Sequence, residues 1–500
     1  MRVDIEKLAA GPIERIRQRL DAVSRAAVYA VPDDRVGDAV MAAIVVRDNA
    51  SLDPGEFTVF FGEQLDVSPK AWPCFVRSAA DLPTTATNKI LERTLVEQEA
   101  TAGESSLWRR ESRSTTYESP HRRCLPMSSD DQLPPQLTEL GYYALSRHPV
   151  TPAELAAEAV HADRIGLGTA FVSERFNVKD AAALSGALAA VSTRLGIATA
   201  ATNHNTRHPI VTANMGATLA ELSGGRFALG LGRGIAPLWQ VLGLPNVTGA
   251  QLAEITDIVR RLWRGETVIG HDGAIGSYPV LHLGVALDSP PPVLLVTMSP
   301  RTLQLAGRIA DAVVLHTFLS AEATASAVST VREAAERAGR DPASVRIWSV
   351  VATVGDDLDE LDQLRRLYGR LATYLQGYPE ILMRANGWRS DDLERVRAST
   401  AFTSARGAID ATANAVELAE LAAVIPREWV SDCATGSPNA CAAAVDRQFE
   451  LGVDSVIMHG ATPTELVPVL EAYRAIRSTR RALPANPGSV VLPDSSGVVR

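Results

Sequence analysis

The sequence predicts an α/β protein of two domains, a (β/α)8 barrel over residues 137–480 preceded by a small α+β domain over 1–117. Three observations predict it. From residue 137 the chain alternates short apolar runs with stretches whose apolar residues recur at helical spacing, and eight such units follow one another. Eight strand-then-helix units joined by right-handed crossovers are what a closed parallel barrel needs. The length, 500 residues, exceeds what one ordinary core organises. The third observation is the stretch Arg226-Phe-Ala-Leu-Gly-Leu-Gly-Arg-Gly234. Its apolar run suits one buried strand, and glycines at 230, 232 and 234 remove three Cβ atoms where that strand would turn. Backbone N–H groups can then approach an anion, with Arg233 as a permanent cation in the same turn.

In the first domain, 12–21 reads as a short amphipathic helix and 26–31 as a strand. A second strand is expected at 40–46, a helix with Phe57, Phe60 and Phe61 at 54–65, and a further strand at 75–78. Residues 104–136 are rich in Ser, Arg and Pro and lose all apolar period, so 118–136 is taken as the linker.

The barrel strands are expected at 137–145, 169–172, 196–201, 227–231, 292–296, 312–315, 345–354 and 455–458. Helices are expected at 152–165 with Thr151 as cap, 181–191, 210–222, 250–263, 300–309, 321–338, 358–376, 440–451 and 466–476. Residues 265–289 read as a hairpin excursion, and 377–430, without period, as an insertion. The Pro-, Gly- and Ser-rich end, 481–500, is expected to be a disordered tail.

Composition excludes several functions. With 46% apolar and 21% charged residues the chain is globular, and a net charge of -9 argues against nucleic acid or an anionic membrane as main partner. No stretch is long and apolar enough for a membrane span, and residues 1–20 lack the apolar core of a secretory signal. The cysteines at 74, 124, 433 and 441 have no metal-ligand spacing, which suits reduced thiols and a cytoplasmic location. The expected partners are a small-molecule substrate and a possible homodimer.

Barrel chemistry belongs at the C-terminal ends of the strands. The polar residues there are Arg147 and His148, Ser173-Glu174-Arg175, Thr202-Asn203-His204-Asn205, Arg233, Met298-Ser299, His316 and His459. His204 and His208 have the spacing of a zinc pair but no Glu after the first His and no third ligand, so no metal is expected.

Two resemblances add to this reading. Val28-Tyr-Ala-Val-Pro-Asp-Asp-Arg-Val-Gly-Asp38 and Leu82-Pro-Thr-Thr-Ala-Thr-Asn-Lys89 resemble the C-terminal lid domain of fatty-acyl-CoA synthetases, in the adenylate-forming ligase superfamily. In that family a lysine reaches the carboxylate and the ATP α-phosphate, and Lys89 matches it. The large ATP-binding domain is missing from this sequence, which implies a relic of gene fusion or a docking module. From 137 to 480, Thr206-Arg-His-Pro209, Leu222-Ser-Gly-Gly-Arg-Phe-Ala-Leu-Gly-Leu-Gly232 and Leu305-Ala-Gly-Arg-Ile-Ala-Asp311 resemble the luciferase-like flavin and F420 oxidoreductases. That family's barrel binds FMN or the deazaflavin F420 in its mouth.

The resemblance implies that Glu174 lies near the cofactor ring and that Asn203 touches the cofactor. It places Ala200 and Ala201 on a bulge that supports the ring, which in some members holds a non-prolyl cis peptide. It puts Arg233 and Gly234 beside the phosphate-bearing tail, with Met298, Ser299, Arg301 and Thr302 in the next phosphate-side loop at a helix start. Sugar-phosphate dehydrogenases of the family carry a His where Arg175 stands and a Glu where Ile235 stands, so a sugar phosphate is not the expected substrate. Glu174 and Arg175 are the candidate catalytic pair, Arg175 orienting a carbonyl or carboxylate. The reading is an F420-dependent oxidoreductase passing a hydride between the deazaflavin and an apolar organic substrate. An FMN-dependent monooxygenase is the alternative, and a non-catalytic cofactor carrier with a ligase-lid docking module is the second.

Overall fold

The computed structural model describes residues 133–491 except 150, 177 and 479–481, together with 2–3, 6–7, 20, 22–33, 37–47, 52, 57, 60, 73–78, 81–84, 95 and 107–109. Two compact units divide at Gln132/Leu133.

The first unit is built on the antiparallel strands Val23–Asp33 and Gly37–Val46, with Phe75–Ser78 added parallel to the second. Alternation along the strands sends Val28, Ala42 and Ile44 to one face with Phe57 and Phe60, and Ala27, Tyr29, Met41 and Ala43 to the other with Leu82 and Leu95. Both faces are therefore buried. Lys89, the helix expected at 12–21 apart from Leu20, and most of the linker lie outside the described residues.

In the second unit eight parallel strands close a barrel. They are β1 Leu137–Tyr143, β2 Leu167–Val172, β3 Gly196–Thr199, β4 Phe227–Gly232, β5 Val293–Val296, β6 Ala312–Val314, β7 Arg346–Gly355 and β8 Ser455–His459. Each pairs with the next, β7 lying between β6 and β8, and β8 returns to β1 with Ile457 opposite Gly141. These strands read as unbroken apolar runs because one face packs on helices and the other fills the lumen. Phe171, Ala198, Ala228, Leu294, Ala312, Trp348 and Ile457 fill it, with Phe171 and Trp348 edge to face at 4.9 Å. A large ring on one strand is met by alanines on others, so the lumen is a packed core.

The hairpin is Val268–Gly273 against Gly276–Leu281. Thr151 does not cap the first helix, which runs Leu155–Arg164; its hydroxyl takes the Ala153 N–H at 3.2 Å instead, in the turn before it. Between β7 and β8 the chain forms short helices, including Pro379–Asn386, Ser390–Arg397, Ile409–Thr412 and Ala415–Val424. The helix before them is interrupted by a π-turn at Arg365–Gly369, and Arg366 and Arg370 are both buried.

The end of the chain corrects the expectation of a tail disordered from 481. Residues 482–491 pack across the strand starts. The buried Arg346 guanidinium donates to the carbonyls of Pro484, Asn486 and Ser489 at 3.2, 2.9 and 3.2 Å, and Trp348 Nε1 donates to Pro487 O at 2.8 Å. Asn486 Nδ2 returns bonds to Gly225 O and Phe227 O. A Pro- and Gly-rich segment needs no secondary structure when buried donors of the barrel take its carbonyls. Residues 492–500 lie outside the described residues.

Candidate active site

The strand ends of β3, β4 and β5 bring together the residues expected to hold a cofactor. Gly232 is the register partner of Val296, so the turns that follow, Arg233-Gly234 and Thr297-Met298-Ser299, emerge side by side. Arg233 is exposed and steadied by Nε donation to Val247 O at 2.7 Å. Ser299 is the N-cap of the helix Pro300–Ile309; its oxygen accepts from Thr302 N at 3.4 Å, and its hydroxyl donates to Thr302 Oγ1 at 2.9 Å. Thr302 and Met298 are buried, while Arg301 is exposed on the helix's first turn. Two cations and a helix N-terminus thus occupy neighbouring strand ends, a setting that favours an anion.

The glycines of the opening stretch serve the fold first. A Cβ on Gly230 would stand 1.8 Å from Thr199 O, and one on Gly232 would stand 2.7 Å from the Ala201 Cβ. Gly234 has φ +63°, and its Cβ would lie 2.1 Å from Trp239 Cζ2. This indole is buried and donates through Nε1 to Arg233 O at 2.8 Å. Gly234 is therefore required by Trp239, whatever occupies the mouth.

The peptide between Ala200 and Ala201 is cis. Beyond it, Asn203 is buried and its Nδ2 donates to Gly232 O at 2.8 Å, so the side chain stitches β3 to β4. Glu174 is also engaged. It forms a partly buried ion pair with Arg207, whose Nη1 reaches Oε2 at 2.8 Å, and Thr202 Oγ1 donates to Oε2 at 2.5 Å. Arg207 belongs to the Thr206-Arg-His-Pro209 motif, and hydrogen bonding to Glu174 raises its pKa further. Glu174 thus fixes the loop that follows β3. His208 caps the helix Pro209–Leu222 by accepting from Ile210 N at 3.3 Å, and no metal-ligand cluster occurs among the described residues.

The opposite side of the mouth holds a polar network that sequence reasoning found only in part. Arg175 Nη1 donates to Arg147 O at 3.3 Å and faces His148 Nδ1 at 3.4 Å. Beneath it Lys179 is buried, with Nζ donating to Ala144 O and Leu145 O at 2.9 and 2.8 Å. Burial, with the Arg175 charge beside it, lowers Lys179 to about 7. His148 Nε2 lies 2.9 Å from Asp410 Oδ1, while Arg370 Nε reaches Asp410 Oδ2 at 2.6 Å and Thr373 Oγ1 donates to Oδ1 at 2.8 Å. Burial pushes the Asp410 carboxyl up; the bonds from His148, Arg370 and Thr373 outweigh it and hold it at about 2.

Behind this lies a neutral wall. Arg370 Nη1 meets His459 Nε2 at 3.2 Å, and His459 Nδ1 meets Thr317 Oγ1 at 2.8 Å. An arginine only donates, so Nε2 accepts and Nδ1 carries the proton. His316 Nδ1 lies 2.9 Å from Thr317 O, which only accepts, so its Nε2 receives the Tyr378 hydroxyl at 2.8 Å. Burial lowers His316 to about 4 and, with Arg370 nearby, takes His459 well below the ordinary range. Both imidazoles stay neutral at pH 7. Asp410 and Tyr378 come from the insertion at 377–430, whose short helices gave no periodic signal, and Arg370 from the helix expected at 358–376.

A closed parallel barrel whose strand ends carry an anion-favouring side and a buried histidine side defines the class. Residues 138–455 match the luciferase-like monooxygenase family, and the chain belongs to that family. It is similar to 5,10-methylenetetrahydromethanopterin reductase of Methanolobus tindarius, 23% identical over 308 residues, covering 61% of this chain and 89% of that protein. Its fold is similar to that of the coenzyme F420 dependent tetrahydromethanopterin reductase from Methanopyrus kandleri, with a TM-score of 0.57 at 17% identity, covering 68% of this chain and 99% of that one. The N-terminal region is similar to steroid-22-oyl-CoA synthetase of Rhodococcus jostii (strain RHA1), 51% identical over 98 residues, which are 20% of this chain and 18% of that protein. The chain thus spans under a fifth of that synthetase's length.

Proposed function

We propose that the protein is an F420-dependent oxidoreductase that passes a hydride between the deazaflavin and an apolar organic substrate. The observation that carries this reading is the alignment of three strand ends: the Ala200–Thr202 turn, then Arg233, then Ser299–Arg301. The residues present fit a cofactor with a flat ring and an anionic tail. Arg233 and Arg301 are exposed cations for the tail, and the helix start at Pro300 favours negative charge beside them. When bound, the deazaflavin supplies or accepts two electrons as a hydride; the protein positions the reactants and excludes water. Glu174, held by Arg207, keeps the loop after β3 in place for the ring and is a positioning residue in this reading.

The Methanolobus relative is named a reductase and the Methanopyrus reductase is named coenzyme F420 dependent, which supports F420 over FMN. The family's own description supports the alternative, an FMN-dependent monooxygenase. Titrating the purified full chain with F420 and with FMN separates them. The reading expects F420 to bind more tightly, with binding weakened by salt; tight FMN binding without F420 binding overturns it. For the ligase-like unit we propose a docking role without adenylation of its own.

A further inference from the structure

We infer that His148, oriented by Asp410, exchanges the proton at the substrate's oxygen, with Arg175 binding that same oxygen. The inference rests on the proposed hydride chemistry and supplies the acid/base group that Arg175 and Ile235 leave missing.

Three geometric facts carry it. Asp410 Oδ1 lies 2.9 Å from His148 Nε2, so an ionised carboxylate accepts that N–H and leaves Nδ1 unprotonated as an acceptor. Nδ1 points to Arg175, whose Nη1 is 3.4 Å away, close enough for one oxygen seated beside the pair to meet both nitrogens. His148 is over a third exposed, whereas Asp410 is buried and cannot turn away, because Arg370 holds Oδ2 at 2.6 Å and Thr373 holds Oδ1 at 2.8 Å. A fixed carboxylate, an imidazole in one tautomer and an accessible second nitrogen are the parts of an acid/base dyad. The charged groups facing His148 are Asp410 and Arg175, with Arg370 beyond the carboxylate; Arg147, next in the chain, is paired with Glu465 at 2.6 Å.

The step balances. In the reducing direction the substrate's carbonyl carbon accepts a hydride from the reduced deazaflavin, which is oxidised. The C=O π pair moves onto oxygen, and that oxygen takes the Nδ1 proton of protonated His148, leaving an alcohol and a neutral imidazole. In the oxidising direction Nδ1 takes the hydroxyl proton as the hydride leaves carbon. Arg175 stabilises the partial negative charge on oxygen in both. The substrate class is therefore a secondary alcohol, ketone or enone.

Two measurements on the full chain test this. Nitrogen-15 spectra of the imidazoles, which need no turnover, are expected to find His148 in the Nε2–H tautomer; the Nδ1–H tautomer overturns the dyad. His148→Gln is expected to lower kcat by about 10²- to 10⁴-fold with cofactor affinity unchanged, and His148→Gly to regain activity with added imidazole. His148→Asn serves if Gln impairs folding. Turnover within a few fold of wild type in a folded His148 variant overturns the assignment and leaves the hydride reading standing. Wild-type protein inert with both cofactors sinks the hydride reading and the proton role together, while the tautomer still reports whether the dyad exists.

Discussion

Gly234→Val adds a branched side chain where a Cβ alone would overlap the Trp239 indole, at a φ that suits glycine. Overpacking and backbone strain together cost about 2–4 kcal/mol, so thermal melting without cofactor is expected to show a lower Tm; an unchanged Tm would free the glycine for a ligand role. Arg301→Ala leaves the packing alone, and Arg233→Ala loses only the bond to Val247 O. Each removes a charge-assisted contact of about 1.5–3 kcal/mol, roughly ten- to a hundredfold in cofactor affinity, and the loss should shrink as salt rises. Equal affinities in wild type and both variants would remove this side of the mouth from the site. Asp410 makes acid stability measurable. Its carboxyl titrates lower in the folded chain, so its contribution is present above the unfolded value near 4 and is lost as pH falls toward about 2. Asp410→Asn should be less stable than wild type by about 2 kcal/mol at pH 7, with the gap closing near pH 2. A gap constant over that range would mean the carboxylate is not held as described. Arg233 and Gly234 could be placed at the end of β4 because an apolar run breaking into Gly-Arg-Gly marks a strand end. The Trp239 packing that requires Gly234 could not be read. Nor could Asp410, since its partner His148 lies on the far side of the barrel sequence.

The strands could be read because each is buried on both faces and flanked by helices of ordinary length. The short helices between β7 and β8 could not, since pieces such as Ile409–Thr412 hold too few residues to display a period. The plug at 482–491 was hidden for another reason: its order comes from Arg346 and Trp348, and nothing in a Pro- and Gly-rich stretch announces a distant donor. Ending the chain at Leu483 leaves the Arg346 guanidinium and Trp348 Nε1 short of their acceptors. The expected cost is about 3 kcal/mol or more, seen as a lower denaturation midpoint, and a chain so shortened with full stability would show the plug to be incidental.

At the scale of the molecule, the division at Gln132/Leu133 and the separate cores on either side mean that a chain beginning at Leu133 is expected to fold and bind cofactor as the full chain does. Precipitation of that shorter chain would mean the barrel depends on the first unit. The barrel and its family were legible in the sequence, because glycine-marked strand ends and a counted set of eight units survive without coordinates. Which side chains face one another across the mouth was not, since that depends on a loop's path. The most direct measurement mixes the full chain with reduced F420 in the absence of oxygen, adds an apolar ketone or enone, and follows the cofactor's visible absorbance. Reoxidation of F420 matched by formation of one alcohol or reduced enone per cofactor is the expected result. No reoxidation without oxygen, together with oxygen uptake in the presence of reduced FMN, would contradict it.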